Sequence, residues 1–424
     1  MNTFVKISHF VRRSKEFGRQ STTLLVGQVI ATCLTTITSV IVARNLGPSG
    51  KGALGVALVF SSSLVTFSGF GLDTASPYFL AKDTFLRDVV YATNWAIYKV
   101  RVLLILCSGA LAISVLGDST FKNSSPSLLL VGMLLSVSIS AFAFLNWYPL
   151  GWGELTRYSI NLLSPVLVSL LGVNVILLLT HNIDAFKLIL IDIAAYSIGA
   201  TILFWQVRQR RFARSKPSFN YFKKFIRYGF PAYGAQVLTF ANNRLLWLLI
   251  AAESGNTQLG IYILAQGLIE QLGLLIHPVA TVMFTRVLHM SLLDVRKKTL
   301  VVFSTVFSLS VGLVILLFFS ISPIFKLLYG IKFEDSIYIA KFLLPILALD
   351  ASSRVLNAAL QGLGKTGAYF LVIALSAISG IVSAFLLYPH FQVIGVVLSS
   401  LLSSTVSFGL SFYLFMRCSR KQIS

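Results

Sequence analysis

The chain holds 424 residues, 56% of them hydrophobic and only 12% charged, with a mean hydropathy of +0.82. So little polar surface excludes a soluble globule and points to a polytopic membrane protein. The formal charge of +21 would suit a nucleic-acid binder only if the basic residues gathered on one face; they punctuate apolar runs instead, so topology accounts for the basicity and no nucleic-acid partner is required.

Residues 1–21 are basic (Lys6, Arg12, Arg13, Lys15, Arg19) and partly amphipathic. The apolar run from Thr22 to Ala43 is longer than the core of a signal peptide and ends at Arg44, which predicts a retained first span. A helical crossing needs about 20 mostly apolar residues. Twelve runs qualify: 22–43, 53–80, 89–116, 127–148, 158–180, 185–207, 230–252, 258–285, 299–325, 337–361, 368–388 and 393–416. The longest polar passage lies between the sixth and seventh, where Arg208, Arg210, Arg211, Arg214, Lys216, Lys223, Lys224 and Arg227 occur without an acid. The positive-inside rule keeps that passage in the cytoplasm, and an even number of spans then puts both termini there. The predicted division is a cytoplasmic N-terminus 1–21, an N-lobe 22–207, a basic linker 208–229, a C-lobe 230–416 and a cytoplasmic tail 417–424. Outside connections are short (Leu46–Gly52, Gly117–Pro126, His181–Asp184, Glu253–Thr257, Ile331–Ser336, Pro389–Gln392) and leave no domain for soluble catalysis. Cys33, Cys107 and Cys418 fall in spans or at a cytoplasmic end and read as packing residues.

Pro77, Pro165, Pro231, Pro278 and Pro345 interrupt spans. Backbone freed by a proline is tolerated at membrane depth where it is buried in protein or faces water, so each marks either a cavity wall or a packed kink. A shift of 208 residues carries Gln28 onto Gln236, Gly47 onto Gly255 and Gly52 onto Gly260; a shift of 211 carries Gly151, Gly153 and Tyr158 onto Gly362, Gly364 and Tyr369. Nearly one offset pairing equivalent positions predicts two parallel six-span bundles with a substrate path between them.

The turn Ala43-Arg44-Asn45-Leu46-Gly47-Pro48-Ser49-Gly50, the stretch Ile226-Arg227-Tyr228-Gly229-Phe230-Pro231, the run Gly260-Ile261-Tyr262 and the turn Leu360-Gln361-Gly362-Leu363-Gly364-Lys365-Thr366 resemble the polysaccharide-transport branch of the multidrug/oligosaccharidyl-lipid/polysaccharide exporter (MOP) superfamily. Wzx-type O-antigen flippases belong to that branch. The resemblance covers almost the whole chain and rests on glycine-based motifs. It implies an all-α, twelve-span protein of MATE-like fold in the bacterial inner membrane. It also implies a cargo, an undecaprenyl-pyrophosphate-linked oligosaccharide carried from the cytoplasmic to the periplasmic leaflet, and docking of polysaccharide-assembly proteins.

A charge placed mid-span costs roughly 2.5–3.5 kcal/mol on insertion scales and is a functional candidate for that reason. Arg244, Glu270, Asp350 and Arg354 meet this test. Asp350, Arg354, Asn357 and Gln361 share one helix face, as do Gln266, Glu270, Gly273 and His277, and, in the first span, Gln28, Thr32, Thr35 and Ser39. Three polar stripes predict a wet interior. In the functional reading Arg244 and Arg354, helped by Lys99 and Arg101, offset a pyrophosphate whose oxygens suit the guanidinium fork, with Asn243, Gln28 and Gln236 in the same cavity. Glu270, His277 and Asp350 then bind a coupling proton or sodium ion, or balance the arginines. The alternatives are structural: an i,i+4 pair of Asp350 with Arg354, a core histidine at His277 beside Pro278, and snorkelling at Lys99 and Arg101. Arg244 has no acid within one turn and is the strongest single candidate.

Gly362-Leu363-Gly364-Lys365-Thr366-Gly367 fits a dinucleotide-binding pattern in letters only, because no βαβ unit surrounds it. Asn123-Ser124-Ser125 is a sequon by pattern alone, and neither a metal-ligand motif nor a cysteine cluster occurs, so no metal or cofactor beyond an ion gradient is expected. Three functions compete. A lipid-linked glycan flippase accounts for the cationic mid-span residues; a drug or cation antiporter of the same superfamily would centre on acids; a glycan polymerase or ligase would need a large periplasmic loop.

Overall fold

The computed structural model describes residues 2–82, 87–116, 125–180, 182–210, 215–274, 279–280, 283–284, 287 and 292–421. Among them are eleven α-helices and no strand. In chain order they are α1 (Asn2–Phe67), α2 (Leu72–Lys82), α3 (Arg87–Leu116), α4 (Pro126–Gly151), α5 (Leu155–Thr180), α6 (Ala185–Arg208), α7 (Phe219–Phe240), α8 (Leu246–Leu274), α9 (Leu292–Tyr329), α10 (Glu334–Gly362) and α11 (Thr366–Lys421). A π-helical turn, Ala241–Leu245, joins α7 to α8, and a 3-10 turn, Ile331–Phe333, precedes α10.

Seven helices carry stretches long and apolar enough to cross a membrane. Their outward faces are apolar too: Leu178, Leu179 and Phe319 are each about three-quarters exposed, a surface that hydrocarbon tolerates and water does not. A straight helix of the length of α1 would measure about 100 Å, far beyond a hydrocarbon core of about 30 Å. The chain breaks it at Gly47 (φ 67°, ψ −177°). Gly255 breaks α8 in nearly the same conformation (φ 81°, ψ 175°) and Gln392 breaks α11 (φ 49°, ψ −128°). The outer connections expected at Leu46–Gly52, Glu253–Thr257 and Pro389–Gln392 are thus single-residue breaks inside otherwise continuous helical backbone. The run expected as one span over 53–80 is itself divided: α1 stops at Phe67, and Phe70 (φ 45°) and Gly71 (φ 75°) turn the chain into α2. Pro77, Pro165 and Pro345 lie inside α2, α5 and α10; Pro278 lies outside the described residues.

Two compact units emerge. The first comprises Met1–Ile41, Phe60–Ser114 and Ser127–Tyr233; the second comprises Val42–Val59, Val115–Pro126 and Gly234–Ser424. The first has an aromatic core in which Phe79, Phe144, Trp147, Tyr148, Tyr221 and Phe225 are buried. Tyr98 stacks on Phe144 with centroids 4.4 Å apart, and Trp95 meets the same ring edge-on at 4.9 Å. Each such pair contributes about 0.5–1.5 kcal/mol beyond the area it buries.

In the second unit a core of Val355, Leu356, Ala359 and Leu360 from α10 packs with Phe415 of α11. The two glycine breaks also meet there. A Cβ on Gly52 would lie 1.7 Å from the Asn256 carbonyl oxygen, and one on Gly260 would lie 1.9 Å from the Pro48 carbonyl oxygen. The shift of 208 residues that carries Gly52 onto Gly260 also carries Pro48 onto Asn256, so the two contacts exchange under it. This is the reciprocity of an isologous two-fold contact, realised within one chain, and it requires glycine at both positions. Arg44 closes the same region by donating from Nε to the Leu328 carbonyl (2.6 Å) and from Nη2 to the Leu327 carbonyl. These are orphan carbonyls at the C-terminal end of α9.

Candidate functional site

The second unit holds a polar cavity of about 560 Å³, lined by the π-helical turn and by α8, α10 and α11. The π-helical turn decides its chemistry. An added residue in one helical turn is rare and recurs at functional sites, and here it falls on Ala241–Leu245, placing Asn242, Asn243 and Arg244 on the cavity wall.

Arg244 is held by a closed ring of contacts. Its guanidinium lies 4.1 Å over the Trp247 ring, Trp247 Nε1 donates to Gln266 Oε1 at 2.7 Å, Gln266 Nε2 donates to Glu270 Oε1 at 2.9 Å, and Arg244 Nη2 donates back to Glu270 Oε2 at 3.3 Å. A cation stacked on an aromatic face gains about 0.5–2 kcal/mol according to how dry the site is. Another guanidinium nitrogen, Arg244 Nη1, is buried and makes no hydrogen bond. A buried charged donor without a partner is costly, and this one lies in a residue that lines an open cavity.

Opposite, α10 contributes Asp350, Ser353, Arg354, Asn357 and Gln361, and α11 contributes Tyr369, Ser376, Ser400, Ser403 and Ser404. Asp350 has Arg354, Ser404 and Glu270 as its electrostatic neighbours. Asn357 accepts from Ser411 at 2.9 Å, and Ser403 donates to the Ser376 carbonyl at 2.8 Å while lying 3.3 Å from Asn242 Oδ1. The wall therefore presents two guanidinium groups, two carboxylates and a dense set of amides and hydroxyls. Such a surface can hold a polyhydroxylated ligand and one anionic group. Among the described residues no cluster could hold a metal ion.

Of the residues singled out in the sequence, Arg244, Asn243, Glu270, Asp350 and Arg354 surround this cavity. Gln28 and Gln236 are exposed on α1 and α7 and line none of it. In the first-span stripe, Thr32 and Thr35 return their hydroxyls to their own helix, on the carbonyls of Gln28 and Ala31. Lys99 and Arg101 belong to α3 in the first unit. Lys99 is exposed, whereas Arg101 is buried and donates to the Val65 carbonyl (2.9 Å) and to Ser68 Oγ (3.3 Å), with Asp73 at 3.6 Å. His277 lies outside the described residues. Trp247 and Asn242 escaped the sequence reading. The signal for Trp247 was its place three residues after Arg244, which puts an aromatic ring on the same helix face.

The profile of a family described as polysaccharide biosynthesis protein matches residues 17–288. A search of curated protein sequences returned no significant match. Solved structures share the fold. An inward-facing multidrug-resistance MATE transporter of the MOP superfamily superposes with a TM-score of 0.72 at 14% identity, covering 94% of this chain and 99% of the other. The outward-facing conformation of a MATE transporter of that superfamily gives 0.64 at 14% identity, over 95% and 96%. A MOP transporter from Pyrococcus furiosus, described by the reverse polarity of its binding pocket, gives 0.61 at 15% identity, over 94% and 96%. The architecture is accordingly the two-bundle, twelve-helix fold of membrane transporters. With more than half of its length matched by one profile, the chain belongs to the polysaccharide biosynthesis protein family.

Proposed function

We propose that this protein is a flippase that carries an undecaprenyl-pyrophosphate-linked oligosaccharide, an O-antigen or related repeat unit, from the cytoplasmic to the periplasmic leaflet of a bacterial inner membrane. The observation that carries this reading is Arg244: a mid-membrane guanidinium, stacked on Trp247 and lining a polar cavity, with one buried N–H group unpartnered. Arginine holds phosphate oxygens through paired charge-assisted hydrogen bonds, and Arg354 is a second cation lining the same cavity. The amides and hydroxyls around them suit the neutral part of a glycan. Alternating access with the prenyl tail left in the bilayer satisfies both halves of such a cargo. Glu270 and Asp350 balance the arginines or bind a coupling proton or sodium ion, and the basic cytoplasmic segments offer a surface to glycan-assembly proteins.

The test is a deletion strain. Lipid-linked glycan should accumulate on the cytoplasmic face and return to the periplasmic face on complementation; normal surface glycan in the deletion strain would refute the proposal. A second reading, a drug or cation antiporter, draws on the two carboxylates in the cavity. It predicts altered drug susceptibility of the same strain with glycan export intact.

A further inference from the structure

We infer that Glu270 is a displaceable counter-ion, a carboxylate that occupies Arg244 while the cavity is empty and is exchanged for the anionic phosphate oxygens of the cargo headgroup. This rests on the flippase reading for the identity of the cargo, but the exchange itself follows from the geometry. Glu270 touches Arg244 through one oxygen and one nitrogen at 3.3 Å, a single and long contact where the guanidinium fork can make two short ones. The remaining nitrogen of the fork, Nη1, is buried and unbonded. The two side chains are not sealed in: Arg244 is 28% and Glu270 39% exposed, and both line the cavity.

The ring of contacts lets the pair separate without leaving either member adrift. Glu270 has its second oxygen on Gln266 at 2.9 Å, and Gln266 is anchored by Trp247 at 2.7 Å. Arg244 rests on the Trp247 face at 4.1 Å. A phosphate that took both Nη1 and Nη2 would push Glu270 off Nη2 by like-charge repulsion, while Gln266 retained the acid and Trp247 retained the guanidinium. Without Glu270 the empty cavity would hold an unpaired arginine, the costly arrangement for a half-buried charge. With Glu270 present the headgroup must compete for its site, so its affinity is capped and it can leave. A transport site needs binding strong enough for entry and weak enough for release. A pair that served only to stabilise the fold would do the reverse, and losing the acid would loosen Arg244 and weaken anion binding.

The test uses the full-length protein in nanodiscs, titrated calorimetrically with inorganic pyrophosphate and, separately, with farnesyl pyrophosphate. Glu270→Gln should bind inorganic pyrophosphate at least about tenfold more tightly than the wild type, a change of about 1.4 kcal/mol. Glu270→Asp keeps the charge in the cavity but withdraws it by one methylene, and should shift affinity in the same direction. Unchanged or weaker binding by Glu270→Gln, or wild-type affinity in Glu270→Asp, overturns the inference. If Glu270→Gln does not fold, the Asp variant alone decides. A gain for inorganic pyrophosphate without one for the farnesyl ester supports the exchange while removing the lipid as the source of the phosphate, so a failure of the flippase reading is distinguishable from a failure of this inference.

Discussion

Arg101 in the first unit and Arg244 in the second are both arginines placed near a tryptophan, and their surroundings differ in kind. Arg101 stands beside the break between α1 and α2, where the chain leaves carbonyls without helical partners. Its side chain is 1% exposed, donates to the Val65 carbonyl and Ser68, faces Asp73, and lies 5.9 Å from the Trp147 centroid. The aromatic core closes around it. Arg244 stands within the π-helical turn, is 28% exposed and lines a cavity; both arginines have one long carboxylate contact and a buried Nη1 without a hydrogen bond, so exposure and the cavity are what set Arg244 apart. The surroundings of the two units differ in the same sense. Asn146 and Asn357 correspond under the 211-residue shift and are both buried, at 3% and 6%, but of the two it is Asn357 that lines the cavity. The desolvation cost is larger for Arg101, at 1% exposure, than for Arg244, at 28%. One arginine is enclosed and bonded to a backbone carbonyl and a serine hydroxyl, and the other opens on a cavity that a ligand could enter.

If that contrast holds, removing Arg101 damages the fold. Arg101→Met leaves the Val65 carbonyl with the Ser68 hydroxyl alone, at 3.2 Å, and removes the guanidinium that faces Asp73. Asp73 is a third exposed and 3.6 Å away, so the cost falls below the ~3–5 kcal/mol of breaking a fully buried pair from one side. The expected result is a marked fall in membrane abundance and in the melting temperature of the solubilised protein. Wild-type stability in this variant would break the contrast outright. Removing Arg244 should leave the fold largely intact and abolish function. Arg244→Ala at normal abundance should lower glycan export about tenfold to a hundredfold, the range set by charge-assisted hydrogen bonds of about 1.5–3 kcal/mol. Full export by that variant, measured as surface glycan restored to a deletion strain, would remove Arg244 from the cargo site.

The positions of the helices were readable because hydropathy over about 20 residues is a strong signal. The one-residue breaks were only half readable. Gly47 and Gly255 showed as a repeat at 208 residues, but Gln392 adopts a positive φ without a glycine to announce it, and the division of 53–80 into two helices depends on Phe70 and Gly71 being held by tertiary structure. In the cavity the charged residues stood out because a charge in an apolar run has to be explained. Trp247 did not, since an aromatic residue in an apolar helix usually packs. The π-helical turn was silent as well, because no residue type demands it. The contrast between the two arginines was unreadable for a further reason: a guanidinium that completes another helix's broken backbone and one that waits for a ligand have the same sequence signature.

Lys99 sharpens the comparison from the other side. It lies on α3 two residues before Arg101, and two residues of an α-helix are about 200° apart, so burial of one places the other on the opposite face. Lys99 is indeed exposed, with a long apolar stem and a charged tip that suit the edge of a membrane. A residue so placed does not complete the α1 break. Lys99→Gln should therefore change stability by no more than about 0.5 kcal/mol and leave export at the wild-type level, measured beside Arg101→Met in the same strain. A loss of export in Lys99→Gln at normal abundance would mean that α3 carries cargo on its exposed face.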